Sequence, residues 1–363
     1  MSPGEAIREA LQSKTWTQTD LAHVLGKPLA AINEVIQGKR RITPDMAIAL
    51  ATALGTTPEY WMNLDATYWL ARAEIEVGGV ARRARVFELA PIKDMQRRGW
   101  LSKTDTIESI EKELQEFFGV PSLDTEPVIN ASARKTDARS SFNPAQRAWT
   151  FRAKKLAEAV QVNDYSEAKL KAAIKKLKNL LGWPQEARKV PTILADCGLR
   201  FVVVEPLPHT RIDGVAFWLN ASSPVIAMSL RFDRIDNFWH VLGHEMSHIL
   251  HRDSPIVDAG STIDERPAEM NDEIETRANH ESAATWIDPT EMKSFINRVG
   301  PLYSIEKINQ FANRLRVHPG IIVGQLQGQE ELRYGAFGDV LVKIRSYVIA
   351  ESLTDGWGHE VGF

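Results

Sequence analysis

The first 75 residues alternate apolar and polar positions in a pattern that predicts five short helices. In the third of these, residues 29–37, Ile32, Val35 and Ile36 recur at helical spacing and form one apolar side. Thr43-Pro44 and Thr57-Pro58 each pair a capping side chain with a proline suited to the first helical position. The pattern therefore predicts an all-α N-terminal domain over residues 1–75, with short helices joined by glycine-containing turns.

The next stretch, residues 76–189, is predicted to be a mostly helical connecting region. Charged and apolar residues alternate at helical spacing over 107–118, and further amphipathic helices are predicted at 154–160 and 167–181. Residues 120–146 lie between them and are rich in Pro, Ser, Asn and Asp, which predicts a long loop.

From residue 190 the pattern changes to short β-rich runs, which predict strands at 199–204, 213–219 and 225–230. An amphipathic helix over 232–251 and several more helices follow, and residues 340–349 could form a strand or a short helix. We therefore expect a mostly helical α+β chain whose third domain, residues 190–363, contains a small sheet. An edge strand of that sheet could pair with an extended peptide by strand addition.

Composition narrows the classes of protein to consider. At 363 residues the chain has room for two or three domains, and 44% hydrophobic with 25% charged residues is ordinary for globular proteins. The net charge of −3 gives no bulk attraction to nucleic acid or membranes. The single cysteine, Cys197, excludes an internal disulfide and suits a reducing compartment. Because neither a signal peptide nor a membrane span is visible, we expect a cytoplasmic protein.

The strongest chemical signal is the stretch His244-Glu245-Met246-Ser247-His248. On a helix, residues four apart lie on one face, so the two imidazoles can hold one zinc ion (Zn2+). The intervening Glu245 would then act as the general base of a hydrolase. His240 shares this face, but a helix rises about 12 Å over eight residues, so His240 cannot join both other histidines on one ion. We place it beside the site, behind the ligands or in the substrate cleft.

A catalytic zinc needs a third protein ligand. A second predicted helix contains Glu273, Glu275 and Asn279. Glu275 is the preferred ligand, with Asn279 one turn later placed to hydrogen-bond its carboxylate, and Glu273 is the alternative.

These residues carry a resemblance to a known family. HEMSHILH followed by ETRANHESAATWIDP resembles the ImmA/IrrE family of zinc metallopeptidases over roughly residues 190–300. The resemblance implies a zincin-like domain, and it places the zinc-binding glutamate of the family on Glu275. The chain departs from the family pattern at Arg277 and Glu281.

The N-terminal domain carries a second resemblance. INEVIQGKRRIT, the following ALG and the later PEYW are similar to the XRE-type helix-turn-helix of HigA-like antitoxins. That resemblance implies a homodimer that binds operator DNA through its third helix. The residues themselves also allow a domain that binds only protein.

The candidate DNA contacts are few. Lys27 and Asn33 are the base-reading candidates near the third helix, and Lys39, Arg40 and Arg41 are placed for phosphate contacts. Residues 1–75 contain 7 Lys and Arg against 8 Asp and Glu, so we expect modest, salt-sensitive affinity for DNA.

Two functions follow. The first is a DNA-binding regulator that carries a zinc endopeptidase, which would cleave a regulatory protein such as a repressor or an antitoxin. The second is a regulator or antitoxin whose metal domain is a non-catalytic sensor or a dimerisation module.

Overall fold

Two separate structural units make up the chain. The computed structural model describes residues 1–73, 77–124, 127, 142–253, 257–258 and 273–358. One unit is Met1–Ala81 and the other is Arg82–Phe363. Helices predicted for the connecting region therefore lie in the same unit as the predicted sheet.

Five helices form most of the first unit, and four of them begin at a side chain that caps the N-terminus. Ser2 and Thr17 make capping boxes with Glu5 and Asp20, and Thr43 and Thr57 cap the two helices that begin at prolines. The helices are α1 Pro3–Lys14, α2 Gln18–Leu25, α3 Leu29–Ile36, α4 Pro44–Leu54 and α5 Pro58–Arg72. Their apolar sides meet in one core that includes Ile32, Val35, Ile36 and Trp61, as the spacing predicts.

The second unit begins with helices that cover the sheet. They are the C-terminal part of α6 Val77–Leu89, whose first five residues belong to the first unit, then α7 Ile92–Arg97, α8 Ile107–Phe118, α9 Pro144–Ala159, α10 Glu167–Lys178 and α11 Val190–Asp196, with a 3-10 turn at Pro184–Lys189 before α11. The predicted loop over 120–146 is too long at its end, because Asn143 caps α9 and Pro144 begins it. The predicted helix at 154–160 is therefore only the last part of α9. Residues 125–126 and 128–141 of that predicted loop lie outside the described residues.

A five-stranded mixed sheet lies behind the candidate site. Its strands are β1 Arg200–Val204, β2 Gly214–Trp218, β3 Pro224–Met228, β4 Val257–Asp258 and β5 Leu353–Asp355, in the order β4-β2-β3-β1-β5. β1 runs parallel to β3 and β5, and β2 runs antiparallel to β3 and β4. The three predicted strands are confirmed, and the two short edge strands were not predicted. β4 already pairs with the edge at Gly214 and Val215, so added peptide would meet an occupied edge there.

The sheet is buried on both faces, and the alternation along β1 shows how. Val202 and Val204 pack with α8 and α9 in one core, whereas Phe201 and Val203 belong to the core that contains α12. This second core extends through the C-terminal helices, which are α12 Ile235–His251, α13 Glu273–Trp286, α14 Pro289–Val299, α15 Ile305–Leu315, α16 Pro319–Gly328 and α17 Arg345–Ile349. Residues 340–349, which the pattern left open between strand and helix, end in α17.

Candidate functional site

Helix α12 runs through the second core and carries the His-Glu-x-x-His stretch. Twelve of its seventeen residues are buried, including His244, Glu245 and His248. The sequence predicted one apolar side, but the polar residues of the motif are buried as well. Because buried polar groups are costly without hydrogen bonds, these side chains need hydrogen-bond or ionic partners on neighbouring elements.

Close packing of α13 against α12 brings Glu275 to the two histidines. Gly243 makes this approach possible, because a Cβ atom there would lie 2.6 Å from Ser282 Oγ and 2.7 Å from Trp286 Nε1. Trp286 Nε1 also donates to the carbonyl oxygen of Trp239 at 2.5 Å. The contact fixes the helix that supplies the carboxylate beside the helix that supplies the imidazoles.

Three side chains converge at this packing contact. Possible ligand atoms of His244, His248 and Glu275 all lie within 4.8 Å of one another. His244 Nε2 lies 3.1 Å from Glu275 Oε2, and His248 Nε2 lies 3.5 Å from Glu275 Oε1. The structure thus brings together the preferred set of three. Glu273, the alternative ligand, is exposed at the first residue of α13.

The hydrogen bonds around the imidazoles favour a cation between them. His244 Nδ1 lies 3.0 Å from Asn279 Oδ1, and His248 Nδ1 lies 2.9 Å from Asp253 Oδ2. Because both oxygens accept, each Nδ1 carries the ring proton, and in the neutral rings both Nε2 atoms present lone pairs. These two Nε2 atoms are only 2.9 Å apart.

The carboxylate fits the same interpretation. Glu275 is 5% exposed, and its buried Oε1 accepts no hydrogen bond from the described residues. Burial, together with the proximity of the His244 ring, which disfavours protonation of both imidazoles at once, lowers the pKa of His248 and so favours the neutral imidazole that metals bind. Two imidazoles and one carboxylate are a donor set that zinc accepts, so these residues fit the ion.

Glu245 lies against the first residue of β2. It is fully buried, and a Cβ atom on Gly214 would lie 2.7 Å from Glu245 Oε1. The absence of a side chain at Gly214 therefore makes room for the candidate general base.

The remaining predicted site residues take distinct positions. Asn279 was expected to hydrogen-bond the carboxylate of Glu275, whereas in the structure its Oδ1 contacts Nδ1 of His244. His240 is exposed and approaches Ser282, with its Nδ1 3.4 Å from Ser282 Oγ, and its ring centroid lies 6.3 Å from that of His244. It lies beside the three converging residues and does not belong to the group.

Two contacts beside the converging residues were not predicted from the sequence. Asp253 contacts His248, and Arg277 Nη2 lies 2.5 Å from the same Asp253 Oδ2. The departure of Arg277 from the family pattern was visible in the sequence, but its partner was not, because Asp253 follows α12 after a left-handed residue, Arg252.

The candidate DNA contacts in the first unit are not equally available. Lys27 and Lys39 are exposed. Arg40 Nη1 lies 3.3 Å from Glu34 Oε2, and Arg41 Nε lies 3.0 Å from Asp65 Oδ2. Asp65 is itself buried and also accepts the backbone N–H of Ile42, so Arg41 helps to hold the turn after α3.

Asn33, the second base-reading candidate, is half-buried on α3. Its Oδ1 is buried and accepts no hydrogen bond from the described part of the chain. The prediction that Asn33 reads a base therefore requires its side chain to turn outward.

The structure also bears on membranes. Among the described residues, no helix has both the length and the apolar character that a bilayer crossing requires.

Comparisons with known proteins match the first unit. Residues 7–61 match the helix-turn-helix family model. An uncharacterized HTH-type transcriptional regulator of Escherichia coli (strain K12), YddM, is 32% identical over 72 residues, which are 20% of this chain and 77% of that protein. An uncharacterized HTH-type transcriptional regulator of Haemophilus influenzae is 36% identical over 64 residues, which cover 17% of this chain and 60% of that protein.

Two further similarities cover the same part of the chain. Virulence-associated protein A' of Dichelobacter nodosus is 37% identical over 71 residues, 19% of this chain and 62% of its own length. A crystal structure from Nostoc punctiforme, described as a candidate antidote protein of a plasmid maintenance system, is 40% identical over 20% of this chain and 80% of its own, with a TM-score of 0.19.

Proposed function

Since the chain belongs, through its N-terminal unit, to the helix-turn-helix transcriptional regulators, we propose that it is a DNA-binding regulator that also carries a zinc-dependent endopeptidase. The observation that supports the enzymatic part is the convergence of His244, His248 and Glu275 within 4.8 Å. The resemblance of the same stretch to ImmA/IrrE peptidases supports a zincin-like domain and a regulatory protein, such as a repressor or an antitoxin, as its substrate.

In this proposal the three converging residues hold Zn2+, and Glu245 handles the proton. A zinc ion supplies Lewis acidity, which polarises a peptide carbonyl and acidifies water. The carboxylate of Glu245 accepts a proton from the attacking water and passes it to the nitrogen of the leaving amine. Asn279 keeps the Nδ1 proton of His244 in place, so that Nε2 remains a donor to the metal.

The peptidase proposal is tested with Glu245→Gln. Because Glu245 is outside the group of three ligands, the variant should bind zinc like the wild type while cleavage falls by about 10²–10⁴-fold. Both proteins, with and without a chelator, are incubated with candidate repressors and with a second copy of this chain, and products are read by mass spectrometry. If the wild type with zinc cleaves none of these proteins, the peptidase proposal is rejected.

A second candidate function has its own support. His244, Glu245, His248 and Glu275 are each 5% exposed or less, which suits a closed metal site that senses zinc or supports dimerisation. The test uses the Glu245→Gln variant, which should not cleave protein. If zinc changes its affinity for DNA or its dimer formation, this alternative is favoured.

The DNA-binding half is tested by gel shift on the region upstream of the gene for this protein. Lys39 is exposed just after α3, so Lys39→Gln should weaken binding about equally on all DNA sequences. The slope of the logarithm of the binding constant against the logarithm of the salt concentration should become smaller in magnitude by about 1. Lys14→Gln, at the end of α1, is the matched control and should change neither quantity. If the wild type shows no shift at low salt, the first unit would be a protein-binding module.

A further inference from the structure

The two candidate zinc-binding histidines are held by chemically different partners. His244 faces a neutral amide, Asn279, whereas His248 faces a carboxylate, Asp253. A carboxylate behind an imidazole both orients the ring and makes it a more basic metal ligand, and it does so more strongly than an amide.

Asp253 is fixed where α12 ends. Arg252, with φ of 53°, reverses the chain, and the backbone N–H of Asp253 then donates to the carbonyl oxygen of His248 at 3.0 Å. The side chain folds back, so that Oδ2 reaches Nδ1 of the same histidine at 2.9 Å. Two hydrogen bonds therefore join Asp253 to His248, one donated by the backbone N–H of Asp253 and one accepted by its carboxylate.

Asp253 is only 9% exposed at its side chain, and a buried carboxylate is costly unless a cation is paired with it. Arg277 provides that cation, with Nη2 at 2.5 Å from Asp253 Oδ2. Arg277 lies on α13 between Glu275, which faces both imidazoles, and Asn279, which contacts His244. One helix thus supplies a ligand and supports both histidines.

We infer that Asp253, held in place by Arg277, is a positioning residue that orients His248 and increases the affinity of the site for zinc. This inference rests on the zinc site of the proposed function, but not on peptidase activity. It assigns a role to Arg277 that the family resemblance does not provide, because the family pattern has a glutamate at that position.

The test measures zinc affinity of the full-length protein by competition with a chromophoric chelator. Asp253→Asn keeps the size and an acceptor but removes the charge, and it should weaken zinc binding about 10–100-fold. Arg277→Gln should weaken binding in the same direction, and Arg277→Lys should restore part of the loss. Glu281→Gln is the matched control, because Glu281 is an acid on the same helix that contacts Ser247 and His251. Its zinc affinity should equal that of the wild type.

A second measurement separates positioning from general destabilisation. With Co2+ in place of zinc, Asp253→Asn should change the visible absorption spectrum of the bound metal, while the thermal midpoint of the metal-free protein stays near that of Glu281→Gln. Wild-type affinity and an unchanged cobalt spectrum in Asp253→Asn would overturn the inference. An equal loss of affinity in Glu281→Gln would also overturn it.

These outcomes differ from those that test the proposed function. A wild-type protein that binds zinc but cleaves nothing rejects the peptidase and leaves the inference standing if Asp253→Asn binds more weakly. A wild-type protein that binds no zinc overturns both.

Discussion

At the scale of single residues, the candidate site also depends on positions whose role appears only when neighbouring elements pack against them. The spacing of His244 and His248 and the choice of Glu275 could be read from the sequence, because ligand spacing on a helix is a local property. The roles of Gly243 and Asp253 could not be read from the sequence. Their importance comes from contacts with α13 and with the end of α12, which depend on how the chain returns after residue 253.

Gly243→Ala tests the close approach of α13 to α12. A Cβ atom there would overlap Ser282 Oγ and Trp286 Nε1, so α13 must shift. We expect a loss of about 1–3 kcal/mol in the free energy of unfolding and weaker zinc binding, because Glu275 moves with α13. Denaturant titration and chelator competition measure the two effects.

Gly328→Ala is the control for that substitution. Gly328 ends α16, and a Cβ atom there meets nothing within 4 Å. The control should leave stability unchanged or raise it slightly, since alanine is the better helix former. Equal stability and zinc affinity in both variants would show that the approach at Gly243 is not tight.

At the scale of helices and strands, the sequence predicted elements whose patterns are local and missed those that depend on partners. Strands β1 to β3 are five residues each and apolar throughout except for Arg200 at the start of β1, and they were predicted within a residue or two. β5 is three residues long and forms because the parallel edge of β1 is available to it. No local pattern in residues 353–355 predicts such a strand.

Helix α16 offers a test of pH dependence. His318 caps this helix, and its Nδ1 accepts the N–H of Gly320 at 3.1 Å. Burial lowers the pKa of His318 in the folded protein, whereas the unfolded chain keeps a value near 6.5. As the pH falls below about 6.5, the unfolded chain binds the proton more readily, so stability is lost with acidification.

His318→Asn keeps a capping oxygen that does not titrate, so it should lose less stability between pH 7.5 and pH 5.5 than the wild type does. His209→Asn is the control, because His209 is an exposed histidine at positive φ, where asparagine is tolerated. The comparison uses denaturant midpoints in the presence of a chelator, so that metal binding does not add its own pH dependence, and the contribution of the lowered pKa of His248 is common to all the proteins compared. A variant with the full wild-type loss would contradict the capping argument.

At the scale of the whole molecule, the two units have separate cores and separate candidate ligands. The core of the first unit contains residues 6 to 61, and the cores on either side of the sheet contain residues from 86 onward. The three converging metal-site residues all belong to the second unit. Zinc should therefore stabilise only one of two unfolding events, because a ligand stabilises the unit that binds it.

Calorimetry of the full chain measures this directly. In chelator, we expect two transitions, and with zinc at about 100 times its dissociation constant one of them should gain about 2.7 kcal/mol in unfolding free energy while the other stays in place. His244→Ala removes a ligand and should abolish the zinc-induced shift. The transition that zinc does not affect should stay where it is in the wild type. A shift of both transitions by zinc would mean that the units are energetically coupled, which would favour metal sensing by the DNA-binding unit over an independent peptidase.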